Sequence, residues 1–130
     1  MGRTLPKVIE KEEVEKLLSQ PNPKYPTGLR NRAILETFYR CGLRLSEVVN
    51  LKPGHIRWKN QELLVRQGKG KRDRVVPIDG RAMLWLERWK ATRPESTWFF
   101  SNLKGGKLQP RYLQQMMERE AKAAGLAYNV

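Results

Sequence analysis

Apolar residues recur three or four positions apart in four parts of the chain, which is the spacing that places them on one face of a helix. These parts cover residues 10–20, 29–41, 80–92 and 110–125, and a shorter helix is predicted over residues 45–51. Gly42 and Gly125 stand where helices commonly end, and Pro110 fits the first turn of the last helix. Between the first two helices, an irregular link is predicted at Pro21, Pro23 and Pro26.

The pattern changes in the middle of the chain. Residues 62–67 and 72–78 predict two strands joined by the glycine-rich hairpin turn of residues 68–71. The short aromatic run of residues 98–100 predicts a third strand. We therefore expect a single domain over residues 1–130, of the α+β class and mostly helical, with helices packed around a small three-stranded antiparallel sheet. Tryptophans and methionines on the helical faces, and Cys41 among them, are interpreted as core.

Charge narrows the choice of partner. The chain has 26 Lys and Arg against 13 Asp and Glu, a formal net charge of +13 and a pI near 10.3. A surface this basic repels itself and is typical of proteins that bind a polyanion, most often a nucleic acid. No apolar run is long enough to span a bilayer, and a single cysteine fits a reducing compartment. A cytoplasmic, nucleoid-associated location is expected.

The sequence lacks the residues that common metal and cofactor sites require. His55 is the only histidine and Cys41 the only cysteine, so a zinc cluster cannot be assembled and no metal site is predicted. No phosphate-binding loop and no dinucleotide-binding glycine pattern occurs, and no cofactor is expected. Two basic sites remain as candidates.

The first site is Arg44, between Leu43 and Leu45 at the start of the short third helix. Its planar guanidinium can present two N–H groups to two oxygens of one phosphate. Glu47 lies three residues on and could orient that guanidinium. An Arg44–Glu47 pair that only ties two helices together is the competing interpretation.

The second site is the hairpin, where five basic residues surround one acid, Asp73. Glycines on both sides of Lys69 favour a lysine that can reach the DNA backbone. A solvated turn is the competing interpretation, since runs of charge usually lie in solvent. The basic residues are Arg66, Lys69, Lys71, Arg72 and Arg74.

Together the two sites resemble a known family. The segment of residues 29–35 leading into Gly42-Leu43-Arg44-Leu45-Ser46-Glu47 resembles the first arginine box of the tyrosine site-specific recombinases (phage integrases), Xer-like members especially. The segment from Gly68 to Ile78 resembles their catalytic-lysine turn, at the separation from Arg44 that this family shows. The resemblance covers nearly the whole chain and implies the amino-terminal portion of a recombinase catalytic domain.

The resemblance also implies a mechanism. In this family a tyrosine attacks a DNA phosphate to form a 3′-phosphotyrosyl intermediate, without metal or ATP. By position, Arg44 matches the first catalytic arginine, Lys69 the general acid and Glu47 a supporting acid, with Lys71 the substitute for Lys69. Arg66, Lys71, Arg72 and Arg74 are expected to contact double-stranded DNA. Complete enzymes of the family act as tetramers on DNA.

Parts of the family pattern do not occur in these 130 residues. They are the second arginine box, the nucleophilic tyrosine and the preceding clamp domain; Tyr25, Tyr39, Tyr112 and Tyr128 do not match the nucleophile. We therefore expect this chain alone to bind DNA and not to cleave it. A standalone, non-catalytic DNA-binding competitor with the same fold is the alternative. A basic RNA-binding protein would explain the charge but not the two boxes. The target DNA sequence and the biological role in integration, excision or dimer resolution are not indicated.

Overall fold

The computed structural model describes residues 11–66 and 72–126, which contain five α-helices and three short strands. The helices are α1 (Lys11–Leu18), α2 (Pro26–Cys41), α3 (Leu45–Val49), α4 (Gly80–Thr92) and α5 (Pro110–Ala123). The strands are β1 (Ile56–Arg57), β2 (Glu62–Val65) and β3 (Arg74–Pro77), and a 3₁₀ turn, Pro53–His55, leads into β1. The expected α+β fold with a small antiparallel sheet is confirmed.

Helix ends follow local chemistry closely. Gly42 ends α2 with φ +66°, and its N–H donates to the carbonyl of Phe38. The Asp79 side chain caps α4 by accepting the N–H of Ala82 at 2.8 Å. Pro26, predicted to belong to an irregular link, instead begins α2. A proline fits the first turn of a helix because its missing N–H would have had no partner there.

The sheet has the order β1-β2-β3 and is antiparallel throughout. The pair Val65–Arg74 is the last one before the hairpin turn. Residues 67–71, which include the predicted turn, lie outside the described residues. The prediction that residues 98–100 form the third strand was wrong: the third strand of the sheet is β1, Ile56–Arg57. The carbonyl of Phe99 accepts from the indole N–H of Trp89 at 2.7 Å and from Arg93 at 3.2 Å, so it is not available to a strand partner.

The core lies between α2, α4, α5 and the buried face of the sheet. Its largest fully buried side chains include Trp89, Phe99, Phe100, Met116 and Met117, which confirms that these aromatics and methionines are core. Burying a side chain of this size stabilises a fold by about 2–3 kcal/mol. Cys41 is also buried, and burial raises the pKa of its thiol to about 11.

A carboxylate with no exposed surface, Glu36, is the electrostatic centre of the helical layer. Its two oxygens accept from Arg40 of the same helix at 2.7 Å and from Arg32 at 2.9 Å. Arg40 continues to Glu15 on α1 at 3.2 Å and to Asp79 at the start of α4 at 3.3 Å. Because each charge has partners, the network joins three helices without leaving a buried charge unpaired.

Candidate nucleic-acid interface

Arg44 is the residue immediately before α3, in extended backbone with φ −80° and ψ 157°. Leu43 beside it is buried and anchors the turn after α2, whereas the Arg44 side chain is exposed. Within the described residues, no hydrogen bond or ion pair to its guanidinium is present. The arginine is therefore held by its backbone and presents its planar donors to solvent.

Glu47 fixes that backbone. Its side chain is only 7% exposed, and its Oε1 accepts the main-chain N–H of Arg44 at 2.8 Å. A glutamate at the third helical position that returns to the N-cap N–H is the second half of a capping box. The sequence had suggested a contact with the Arg44 guanidinium; the contact found here holds the Arg44 main chain.

The same carboxylate also binds the hairpin. Arg74 on β3 donates from Nη1 to Oε2 of Glu47 at 2.8 Å and from Nη2 to Oε1 at 3.1 Å. This hydrogen-bonded pair raises the pKa of Arg74, so its guanidinium keeps its charge. Arg74 and Glu47 are 27 positions apart, and no periodic pattern in the sequence pairs them.

The other basic residues of the hairpin differ in their surroundings. Arg66 pairs across the hairpin with Asp73 at 2.9 Å, with both side chains exposed by more than a third. Arg72 is exposed. The structure thus brings Arg44, Glu47 and the turn end of β3 together, while Lys69 and Lys71 lie outside the described residues.

His55 lies beside this site and has a structural contact. Its Nδ1 accepts the main-chain N–H of Lys52 at 3.2 Å, which requires an unprotonated nitrogen. Burial lowers the pKa of His55, and the nearby charges of Arg66 and Lys52 lower it further, against an opposing effect of Asp73. A neutral imidazole thus closes the 3₁₀ turn between Lys52 and His55.

Sequence reasoning missed a second basic surface at the far end of α3. The ammonium groups of Lys107 and Lys52 lie 4.4 Å and 5.5 Å from the centre of the Trp98 ring. Lys107 also donates to the side chain of Asn50 at 2.7 Å. The contact of Lys107 with the Trp98 ring depends on how the chain folds back before α5, which no local sequence pattern predicts.

Tyr112, which does not match the family's nucleophile in the sequence, makes a structural contact with Arg30. This arginine is 3% exposed and donates to the Tyr112 hydroxyl at 2.5 Å and to the carbonyl of Ser101 at 3.2 Å. Burial is the main cause of the lowered pKa of Arg30. The contact ties α2 to α5.

None of the helices in the described ranges is long and apolar enough to cross a membrane.

Curated proteins similar to this chain are tyrosine recombinases. Tyrosine recombinase XerC of Actinobacillus pleuropneumoniae serotype 7 (strain AP76) is 36% identical over 129 residues, covering 96% of this chain and 42% of that protein. Tyrosine recombinase XerC of Proteus mirabilis is 39% identical over 134 residues, covering 99% of this chain and 43% of that protein. The chain thus spans less than half the length of these relatives.

Solved structures show the same fold. XerA recombinase matches all of this chain and 46% of its own with a TM-score of 0.84, at 20% identity. XerH site-specific recombinase bound to its difH substrate, in a pre-cleavage complex, matches 95% of this chain and 38% of its own with a TM-score of 0.75, at 28% identity. The Phage integrase family profile matches residues 7–130. From this match and the XerC relatives, the chain belongs to the phage integrase family of tyrosine recombinases.

Proposed function

We propose that this chain is the amino-terminal portion of a tyrosine recombinase catalytic domain, and that it binds duplex DNA through the surface formed by Arg44 and the hairpin of residues 62–77. The complete enzyme cleaves and rejoins DNA at specific sites through a 3′-phosphotyrosyl intermediate. The observation that carries the proposal is the Glu47 carboxylate, which joins the backbone of Arg44 to β3. This contact sets the arginine beside the hairpin that contains Lys69 in its sequence.

Each of these residues has a defined chemical role in the proposal. Arg44 binds non-bridging oxygens of the scissile phosphate, where negative charge increases in the transition state. Lys69 protonates the leaving 5′-oxygen, with Lys71 as its substitute. Arg66 and Arg72 contact the phosphate backbone, since their exposed guanidiniums can exchange a surface pair or water for a phosphate.

Assembly of the complete enzyme also belongs to the proposal. The structure of lambda integrase described as a tetramer bound to a Holliday junction has a TM-score of 0.71 against this chain. We extend the tetramer on DNA from that relative to the complete form of this recombinase. The portion described here supplies the phosphate-binding surface of each protomer.

The salt dependence of DNA binding tests the proposed interface. Because bound phosphates release counterions, log Kobs falls by about 0.9 per phosphate contact for each tenfold rise in salt. Four contacts would therefore weaken binding to a 30-base-pair duplex by about a hundredfold between 50 and 200 mM NaCl. Arg44→Ala should reduce the slope by about one contact, whereas Lys122→Gln in the last turn of α5 should leave it unchanged. A flat salt dependence of the unaltered chain would contradict the proposal.

The role of Lys69 is testable in a complete recombinase that contains this domain. Lys69→Ala should slow strand cleavage by about a hundredfold or more, since a general acid contributes on this scale, while DNA affinity changes little. A substrate with a 5′-bridging sulfur, whose leaving group needs little protonation, should restore cleavage by this variant. Equal losses of cleavage and affinity, without recovery on the sulfur substrate, would make Lys69 a backbone contact only.

A further inference from the structure

We infer that Arg74 is a positioning residue: its guanidinium acts on Glu47 rather than on a DNA phosphate, and fixes the turn end of β3 to the backbone of Arg44. The inference builds on the proposed function, because the two parts it aligns are those assigned to the reacting phosphate. It changes the expectation for Arg74, which the sequence groups with the other DNA-contacting arginines of the hairpin.

The geometry of the pair is specific. Two N–H groups of one guanidinium meet the two oxygens of one carboxylate at 2.8 Å and 3.1 Å. A bidentate contact fixes the relative angle of the two side chains as well as their distance, which a single ammonium group cannot do. The pair therefore restrains the orientation of β3 relative to α3.

Burial explains why Arg74 stays on Glu47. The Glu47 side chain is 7% exposed, whereas that of Arg74 is 40% exposed. Moving Arg74 onto a phosphate would take the arginine away from a shielded carboxylate, and a shielded charge that loses a partner costs more than an exposed contact with an anion contributes. Arg74 is consequently a guanidinium partner that this shielded carboxylate holds by two hydrogen bonds.

Glu47 transmits the restraint to Arg44. Its Oε1 accepts both the Arg74 Nη2–H at 3.1 Å and the main-chain N–H of Arg44 at 2.8 Å. One oxygen atom thus connects a strand of the hairpin to the residue before α3. If the carboxylate rotates, the N-cap hydrogen bond weakens together with the hairpin contact.

Neighbouring arginines supply the contrast. Arg66 pairs with Asp73, whose carboxylate side chain is 38% exposed against 7% for Glu47, so that pair is weaker and can be exchanged for a phosphate. Arg72 is exposed, and its guanidinium makes no ion pair or hydrogen bond within the described part of the chain. Of these three arginines, Arg74 has the buried carboxylate as its partner.

The test compares Arg74→Lys with Arg72→Lys in the 130-residue chain, two variants that keep the charge. Amide hydrogen exchange at Arg44 and at residues 74–76, measured by NMR, reports the restraint without DNA. We expect exchange at these amides to rise about tenfold in Arg74→Lys, which loses the bidentate contact, and to be unchanged in Arg72→Lys. Unchanged exchange in Arg74→Lys would overturn the inference.

Glu47→Gln is an independent test of the same contact, and combining it with Arg74→Lys completes a double-mutant cycle. If Arg74 acts through Glu47, Glu47→Gln reproduces the faster exchange at Arg44, and adding Arg74→Lys increases it little further. Fully additive effects on exchange at Arg44 would overturn the inference.

DNA binding separates this inference from the proposed function. Arg74→Ala should keep the salt slope of the unaltered chain, whereas Arg72→Ala should lose about one contact, or about 0.9 in slope. A loss of the same size in Arg74→Ala would make Arg74 a phosphate contact and overturn the inference. A flat slope in the unaltered chain would instead contradict the proposed function, and the exchange measurements would still decide the role of Arg74.

Discussion

At the scale of single residues, the surroundings of His55 and Cys41, which lie near α3, set their protonation states. His55 accepts a main-chain N–H through Nδ1, and burial together with Arg66 and Lys52 lowers its pKa from the ordinary 6.5. Cys41 is held as a neutral thiol, since burial raises its pKa to about 11. Both residues therefore serve the fold around α3 in their uncharged forms.

His55 should make the folded state sensitive to mild acid. The unfolded chain binds a proton at this histidine near pH 6.5, and the folded chain only at lower pH. Stability from the neutral imidazole is thus fully present above about pH 6.5 and is lost as the pH falls through the folded pKa. Urea midpoints measured from pH 7.5 to 5 should decline, with NMR titration of the imidazole reporting the lowered pKa. His55→Asn, whose side-chain oxygen can accept the same N–H, should remove this part of the decline; an identical decline in the variant would exclude His55 as its source.

At the scale of elements, a buried carboxylate in α2 is the centre of an ion-pair network that reaches α1 and α4. Glu36 has no exposed surface and accepts from Arg32 and Arg40 within α2, while Arg40 reaches α1 and the start of α4. The hydrogen bond with Glu36 is the largest cause of the raised pKa of Arg40. In both the helical layer and the α3–hairpin contact, a shielded carboxylate thus accepts from several donors and connects neighbouring elements.

Removing the charge of Glu36 should be costly. Glu36→Gln removes the buried carboxylate that Arg32 and Arg40 share, leaving Arg40 only its more exposed partners Glu15 and Asp79, and is expected to lower the free energy of unfolding by about 3 kcal/mol. Urea denaturation followed by circular dichroism measures the loss. Glu87→Gln, an exposed position on α4, is the matched control and should change stability by less than about 0.5 kcal/mol. Equal effects of the two substitutions would mean that the network does not support the packing of α2.

At the scale of the whole molecule, the net charge of +13 opposes folding in the absence of a polyanion. At 0.1 M salt, repulsion between exposed charges more than about 10 Å apart is largely screened, whereas shielded pairs such as Glu36–Arg40 are screened much less. The free chain should therefore gain stability from salt under the same conditions that weaken its proposed binding to DNA.

Thermal unfolding tests this balance. The melting temperature of the free chain should rise by a few degrees between 20 and 300 mM NaCl, because screening relieves net repulsion without removing the buried pairs. A neutral solute at matched osmolality serves as the control and separates screening from solute exclusion. A melting temperature that falls with NaCl would show that attractive surface pairs outweigh the net repulsion.

Most of the fold was predictable because local signals agreed with the final packing. The predicted helix over residues 80–92 coincides with α4, and Gly42 ends α2 as expected. Arg44 and Glu47 were found as a motif, but their assigned roles in catalysis stay predictions. The partner of Glu47 could not be predicted, since a side-chain pair separated by 27 positions leaves no local pattern.

The sequence by itself determined the helical periods, the hairpin, the basic character and the family, since each depends on residues close in the chain or on overall composition. Only the tertiary structure decided that β1, and not residues 98–100, completes the sheet. A strand is completed by the backbone of a neighbour, and the carbonyl of Phe99 accepts from Trp89 and Arg93 instead. Folding likewise decided that Arg74 faces a shielded carboxylate while Arg72 faces solvent, because burial and charge pairing depend on elements that meet only in three dimensions.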